Sequence, residues 1–143
     1  MYEEVKEEIK ACEGYVNKIY KCSEGFDTIF YGHKITPDDD YEHDIEYTKD
    51  EGERVFEKDF QRTLDAAERL IATRPVNLIA KQVISNMVYQ IGEGGVSKFK
   101  NMFKALDNED YGEASFQMLD SLWAKQTPNR ANKLAAKMRS AKL

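Results

Sequence analysis

The stretch EGYVNKIYKCSEGFDTIFYGH, Glu13 to His33, strings an acid, a thiol and a hydroxyl along a segment that reads as a hairpin. Eight residues separate Glu13 from Cys22, five separate Cys22 from Thr28, and Gly32-His33 follows closely. Val16, Ile19, Tyr20, Phe26, Thr28, Ile29 and Tyr31 favour extended backbone, and Ser23-Glu24-Gly25 is the turn signal between them. Upstream, Val5, Ile9 and Cys12 recur at helical spacing from Tyr2 and Gly14 is a stop signal. A first helix is therefore predicted to end at about Glu13, with Cys12 in the core. The set suits glycoside chemistry, because breaking a glycosidic bond needs a proton for the departing oxygen and a group on the opposite sugar face.

Beyond the hairpin, Thr36 to Tyr47 is polar and heavily acidic with no sustained apolar period, and is predicted to be a loop. Its acids and His43 lack the central glycine of a calcium loop, so no metal site is read there. Thr48-Lys49-Asp50-Glu51 is a capping box that opens a helix with a buried stripe of Phe56, Phe60, Leu64, Ala67 and Ile71. Arg74-Pro75 halts that helix after about 24 residues. Val76 to Ile91 places Ile79, Ala80, Val83, Ile84, Met87 and Val88 on one wide face, predicting a buried central helix closed by Gly92. Shorter helices are expected near Val96 to Leu106, Tyr111 to Trp123 and Asn129 to Ser140.

A chain of 143 residues with ordinary apolar and charged fractions suits one compact globular domain. No apolar run approaches the roughly 20 residues of a bilayer-spanning helix. The first ten residues alternate acids and bases, so the chain is expected to stay in the cytoplasm where it is made. Two cysteines, Cys12 and Cys22, are too few for a disulfide framework. Net charge is −5, yet Lys125, Arg130, Lys133, Lys137, Arg139 and Lys142 close the chain with no acid among them. This basic end reads as a solvated helix face, with attraction to an anionic wall polymer or membrane surface as its functional alternative. Without interleaved aromatics, and in an acidic protein, it does not read as a nucleic-acid site.

The order Glu13, Cys22, Thr28 resembles the T4-lysozyme-like phage endolysins of glycoside hydrolase family 24, whose pattern is glutamate, then aspartate or cysteine, then threonine. The likeness continues through Asn86-Met87-Val88-Tyr89-Gln90, Gly92-Glu93, Gly95-Val96, and Trp123 followed by Gln126-Thr127-Pro128-Asn129-Arg130-Ala131. It spans residues 5 to about 139. The resemblance implies an α+β, two-lobed lysozyme-like fold: an N-terminal lobe of about 13–58 with a small sheet, a connecting helix of about 48–72, and a helical C-terminal lobe of about 75–143 that also takes in the first helix, 2–12. It implies a muramidase that cuts the β-1,4 bond between N-acetylmuramic acid and N-acetylglucosamine in peptidoglycan during host-cell lysis. No metal or organic cofactor is implied. Peptidoglycan strands are the expected partner of a monomer held in the host cytoplasm until a holin releases it to the periplasm and wall.

By the same resemblance Glu13 is the general acid, Cys22 the counterpart of the usual aspartate, and Thr28 the hydroxyl that holds a water. Lys34, Tyr89, Gln90, Met102 and Gln117 are the counterparts of substrate-contacting residues in a cleft between the lobes. His33 with Asp59, and Arg130 near Glu13, are supports. The negative pole of the first helix favours a proton-bearing Glu13, whereas an Arg130 ion pair opposes it. An unperturbed thiol, with a pKa of about 8.5, limits thiolate at Cys22, and a cation such as Lys21 would increase it. Phe30 replaces the family's usual glycine two residues before Gly32, bulk expected to narrow the cleft. The alternative reading is a catalytically impaired peptidoglycan-binding protein on a lysozyme scaffold, with Cys22 and Phe30 marking lost activity.

Overall fold

The computed structural model describes residues 2–141; Met1, Lys142 and Leu143, including the last cation of the basic end, lie outside the described residues. Two compact units divide the chain, one holding residues 3–62 and the other residues 63–143 together with Tyr2. The division falls inside a single long helix.

In the first unit, α1 (Glu3–Glu13) opens with Glu3 and Glu4 at the positive pole of its dipole and buries Val5 and Ile9. Lys6 and Lys10 reach from it to Glu57 at 3.0 Å and Glu53 at 2.7 Å, laying their ammonium groups over the Phe60 and Phe56 rings. Cys12 shares the angular position of Val5 and Ile9 but is exposed, not in the core. It stands one residue from the helix end, where a matching helical angle no longer guarantees a packing partner.

The sheet follows as β1 (Val16–Lys21), β2 (Asp27–Phe30) and β3 (His33–Lys34), antiparallel and in that order. Register pairs Tyr20 with Thr28, Lys21 with Asp27, and Thr28 with Lys34, with an irregularity between Val16 and Tyr20. Phe30 has φ +59°, in the left-handed region that costs a residue with a side chain about 1–2 kcal/mol. Thr28, Ile29, Phe30 and Tyr31 are buried in succession, so both faces of β2 are covered. The Phe30 ring lies among Tyr15, Tyr41 and Tyr47 at centroid distances of 6.1, 5.6 and 6.3 Å. It also touches Gly52, where a Cβ would stand 2.7 Å from the Tyr15 ring. The added bulk is therefore taken up by the interior of this unit; the ring, 1% exposed, does not narrow an open surface.

Residues 35–48 form the acidic loop, and Thr48 then caps α2 (Lys49–Ile71) by accepting the Glu51 N–H at 3.2 Å. The Glu51 carboxylate takes an ion pair with Arg54 and a bond from the Tyr41 hydroxyl at 3.3 Å. Burial first, then the Glu51 charge, pushes the Tyr41 hydroxyl up to about 12. Phe56, Phe60, Ala67 and Ile71 are buried along α2, with Leu64 partly so.

The second unit is helical. Its centre is α3 (Leu78–Ser97), buried on every side from Gln82 to Val88, which explains why apolar and polar residues alternate there without an exposed face. Asn77 caps it by accepting the Ala80 N–H at 3.0 Å, and its amide also donates to the Ala141 carbonyl at 2.5 Å. Gly92, at φ +79°, interrupts the helical backbone, and a last turn runs on to Ser97. The helix expected at Val96 to Leu106 is consequently later and shorter, α4 (Lys100–Asp107), because Lys98 and Phe99 end the preceding turn. The one expected at Tyr111 to Trp123 is split into α5 (Tyr111–Leu119) and α6 (Leu122–Gln126), since the Ser121 hydroxyl caps a new helix on the Ala124 N–H at 3.1 Å. Pro128 opens α7 (Pro128–Ser140) at a position that needs no amide donor.

Removing the Phe30 ring separates packing from backbone strain. Phe30→Ala should cost about 3–5 kcal/mol in urea unfolding. Phe30→Gly should cost about 1 kcal/mol less than the alanine variant, because glycine enters the left-handed region freely. Alanine more stable than glycine, the usual order in a strand, would show that the strain is not carried at this residue.

Candidate active site

Glu13 is the last residue of α1, and Gly14 turns the chain from there into β1. The half-buried Glu13 side chain lies against Gly32, where a Cβ would sit 3.0 Å from its Cδ. Gly32 itself has φ +67°, so glycine is required both for the turn into β3 and for the approach of the carboxyl group.

Cys22 continues the line of β1 into the hairpin loop. Its N–H donates to the Phe26 carbonyl at 2.9 Å and its carbonyl accepts the Gly25 N–H at 2.9 Å. The buried Thr28 hydroxyl donates to the same Phe26 carbonyl at 2.9 Å. The Cys22 thiol is held below its ordinary value, chiefly by the Phe26 N–H; burial opposes this, and the Glu24 N–H, the Thr28 hydroxyl and the charge of Lys34 reinforce it. Each of these groups favours the thiolate over the thiol.

Register explains the gathering. Tyr20, Thr28 and Lys34 are consecutive cross-strand partners, so they share one face of the sheet, and Cys22, two residues beyond Tyr20, continues that face. Lys21 is on the other face, opposite Asp27, with which it makes an ion pair at 2.8 Å. The cation that acts on the thiol is therefore Lys34, not Lys21. Tyr20 joins the two halves of the set: burial, then the negative charges of Glu13 and Cys22, holds its hydroxyl above the ordinary value. Sequence reasoning missed Tyr20, although its place two residues before Cys22 on a strand was the available signal.

His33 bridges two carboxylates, its Nδ1 2.7 Å from Asp59 of α2 and its Nε2 2.9 Å from Asp39 of the acidic loop. Ionised carboxylates only accept, and a neutral imidazole has a single N–H, so both contacts are satisfied together only by imidazolium. Burial acts to lower His33, but Asp59 and then Asp39 outweigh it and hold the residue above its ordinary value. Burial likewise acts to raise Asp39, and is outweighed by the Thr36 N–H at 2.8 Å and by His33, which hold it below the usual carboxylate range. Asp39 was missed; the acidic run beginning five residues after His33 was too uniform to single it out. Arg62 also pairs with Asp59.

The remaining sequence-predicted residues lie in the second unit. Arg130 donates from Nε and Nη2 to the buried Asn86 Oδ1 at 2.9 and 2.6 Å. Gln90 accepts the Trp123 Nε1–H at 2.8 Å, and Tyr89 is half-buried beside it on α3. A groove of about 520 Å³ is bounded by Ile91, Phe99, Met102 and Trp123, with Lys100 and Gln117 among its lining residues. Met102 is fully buried and supports this groove from behind, offering no surface of its own to a ligand. Among the described residues, no group of three or more His, Cys, Asp or Glu side chains is placed to hold a metal ion, and no helix is long and apolar enough to cross a membrane.

The phage lysozyme family model matches residues 10–141. Two proteins of Dictyostelium discoideum, probable T4-type lysozymes 2 and 1, are 31% and 32% identical to the chain, each match covering 94% of this chain and 92% of the relative. Peptidoglycan hydrolase gp36 of Pseudomonas phage phiKMV is 26% identical over 93% of this chain and 15% of its own length.

The His33 cluster makes a pH-dependent contribution whose sign follows from the two directions. The raised histidine stabilises fully below its unfolded value of about 6.5 and loses that contribution as pH rises through its folded value. The lowered Asp39 stabilises above its unfolded value of about 3.9 and loses that contribution as pH falls through its folded value. His33→Gln should therefore cost about 1.5–3 kcal/mol in urea unfolding near pH 5, and progressively less under alkaline conditions. A cost that does not change with pH would mean that the imidazole is neutral in the folded protein.

Proposed function

We propose that this chain, which belongs to the phage lysozyme family of lysozyme-type glycoside hydrolases, is a muramidase acting on the β-1,4 bond between N-acetylmuramic acid and N-acetylglucosamine in bacterial peptidoglycan. The supporting observation is the geometry of the hairpin: the Glu13 carboxyl lies against Gly32 at the turn into β3, while Cys22 and Thr28 are both bonded to the Phe26 carbonyl. The similarity to the peptidoglycan hydrolase gp36 supports peptidoglycan as the substrate class.

In this reading Glu13 delivers its proton to the departing glycosidic oxygen as the anomeric carbon takes on oxocarbenium character. The Cys22 thiolate accepts a proton from a water that the Thr28 hydroxyl orients, and that water attacks the opposite face of the sugar. Atoms and charge balance: the leaving oxygen gains the Glu13 proton, while the attacking water loses one to sulfur. This route inverts the anomeric centre. Direct attack by sulfur is the second option and retains configuration through a covalent intermediate, so the anomer of the first product distinguishes them. The groups around the thiol move it toward the thiolate, the form that can accept a proton.

The biological role we propose is that of an endolysin in host-cell lysis. The protein would be held in the host cytoplasm and reach the periplasm and wall through a membrane lesion such as a holin makes. Lys34, Tyr89, Gln90 and Gln117 are proposed to contact glycan; Arg130, His33 and Asp59 are proposed as supports.

Turbidity clearing of outer-membrane-permeabilised cells tests the reading. Glu13→Gln and Cys22→Ser should each lower the clearing rate by about a hundredfold or more, the contribution of a positioned acid or base. Clearing by Glu13→Gln equal to that of the native chain would remove the muramidase mechanism, whereas wall binding without clearing by all three proteins would favour an impaired wall-binding protein. A second expectation concerns pH. A general base works only when deprotonated, so activity rises with pH through the value of that group. Cys22→Asp should stay active, with its rising limb moved down into the carboxylate range of about 4. Superimposable limbs for the two proteins would exclude the thiolate as the base.

A further inference from the structure

Phe26 is a large aromatic side chain left 53% exposed at the tip of the hairpin that carries Cys22 and Thr28. Isolated exposed apolar residues are common and need no explanation. This one is unusual in its backbone connections. Its carbonyl accepts both the Cys22 N–H and the Thr28 hydroxyl at 2.9 Å. The ring is thus fixed to both groups through a few covalent bonds. Lys34, the cross-strand partner of Thr28, holds its ammonium group 5.0 Å from the ring centroid, which orients the ring from one side and leaves much of the rest open to solvent.

We infer that the Phe26 ring is a glycan-stacking surface of the proposed site, taking the apolar C–H face of a pyranose next to the Cys22 thiolate. The inference rests on the muramidase reading and names a substrate contact that the resemblance did not supply. A pyranose presents axial C–H bonds of slightly positive character on one face, and an aromatic ring presents a negative face of matching size. A leucine would keep apolar area at this position but would lose the π face.

Retention on purified sacculi, measured with every protein carrying Glu13→Gln so that no cleavage intervenes, tests the assignment. Phe26→Ala and Phe26→Leu should each weaken binding by about two- to tenfold, the range for an aromatic stacking contact, and Phe26→Trp should bind at least as well as the parent. The pH titration of Cys22 with a thiol-reactive probe, on a Cys12→Ser background, should be unchanged, and so should the urea midpoint, since the ring is exposed. Leucine binding as well as phenylalanine would overturn the proposal. So would weaker binding accompanied by a matching shift in the thiol titration, which would show the ring acting through Lys34 and not on sugar. Failure of the underlying reading is separately visible: a chain with Glu13 intact that does not clear sacculi, yet binds them in a Phe26-dependent way, loses the muramidase assignment and keeps the stacking surface.

Discussion

The register of a three-stranded sheet is the constraint on which the candidate site depends. A strand has a side-chain period of two, so slipping β1 by one residue against β2 would turn Tyr20 and Cys22 away from Thr28 and Lys34 and bring Lys21 in their place. So short a sheet cannot fix its register by hydrogen bonds alone. Several independent anchors do so: the Cys22 to Phe26 loop closure, the aromatic nest around Phe30, the glycine turn at Gly32 and the double ion pair of His33. Each restrains a different point of the sheet, which is why the chain tolerates an energetically poor left-handed backbone at Phe30. Burial of a whole aromatic ring, about 3–5 kcal/mol, exceeds a strain of about 1–2 kcal/mol.

Charge is distributed on the same principle. His33 takes one carboxylate from α2 and one from the loop, and Asp39 passes the restraint on to Thr36 through its backbone amide. On the neighbouring flank, Tyr31 donates to Glu53 at 2.8 Å and accepts from Lys49 at 2.6 Å, while Lys10 also pairs with Glu53. Helix, strand and helix are thereby joined around one buried hydroxyl. Surface pairs of the type Arg69 with Glu93 add little by comparison, since water screens them. The partly buried pairs matter more for position than for net stability, because the gain must first offset the desolvation of the charges.

How much could be read from the sequence follows from which interactions are local. The end of α1, the hairpin turn, the Thr48 cap and the start of α7 are set by residues within a turn of one another, and these were legible. The long α2 was legible because its stripe repeats over many turns. Breaks in the helical unit were not: the apolar period runs through Leu119 and Trp123 without a sign that the Ser121 hydroxyl starts a new helix, and through Val96 and Phe103 without a sign that Lys98 and Phe99 intervene. Cys12 fails for a related reason, since angle on a helix says nothing about where the neighbouring layer ends. In the site itself, the identities of Glu13, Cys22 and Thr28 were visible as spacing, and the long-range groups that set their chemistry, Lys34 by cross-strand register and Asp39 by loop closure, were not.

A thiol proposed as the group on the far side of the sugar raises a chemical question that the hairpin helps to answer. A carboxylate is ionised at neutral pH without help, whereas a thiol needs donors directed at sulfur. The loop supplies that help: its Phe26 backbone first, against the opposing effect of burial, with the Glu24 backbone and the charge of Lys34 adding to it, holds the thiol below its ordinary value. The same backbone carries Phe26, whose carbonyl closes the loop on the Cys22 N–H while its ring stays largely exposed. Stabilising the thiolate and presenting Phe26 to solvent are thus two results of one backbone arrangement, and a longer loop would weaken both together.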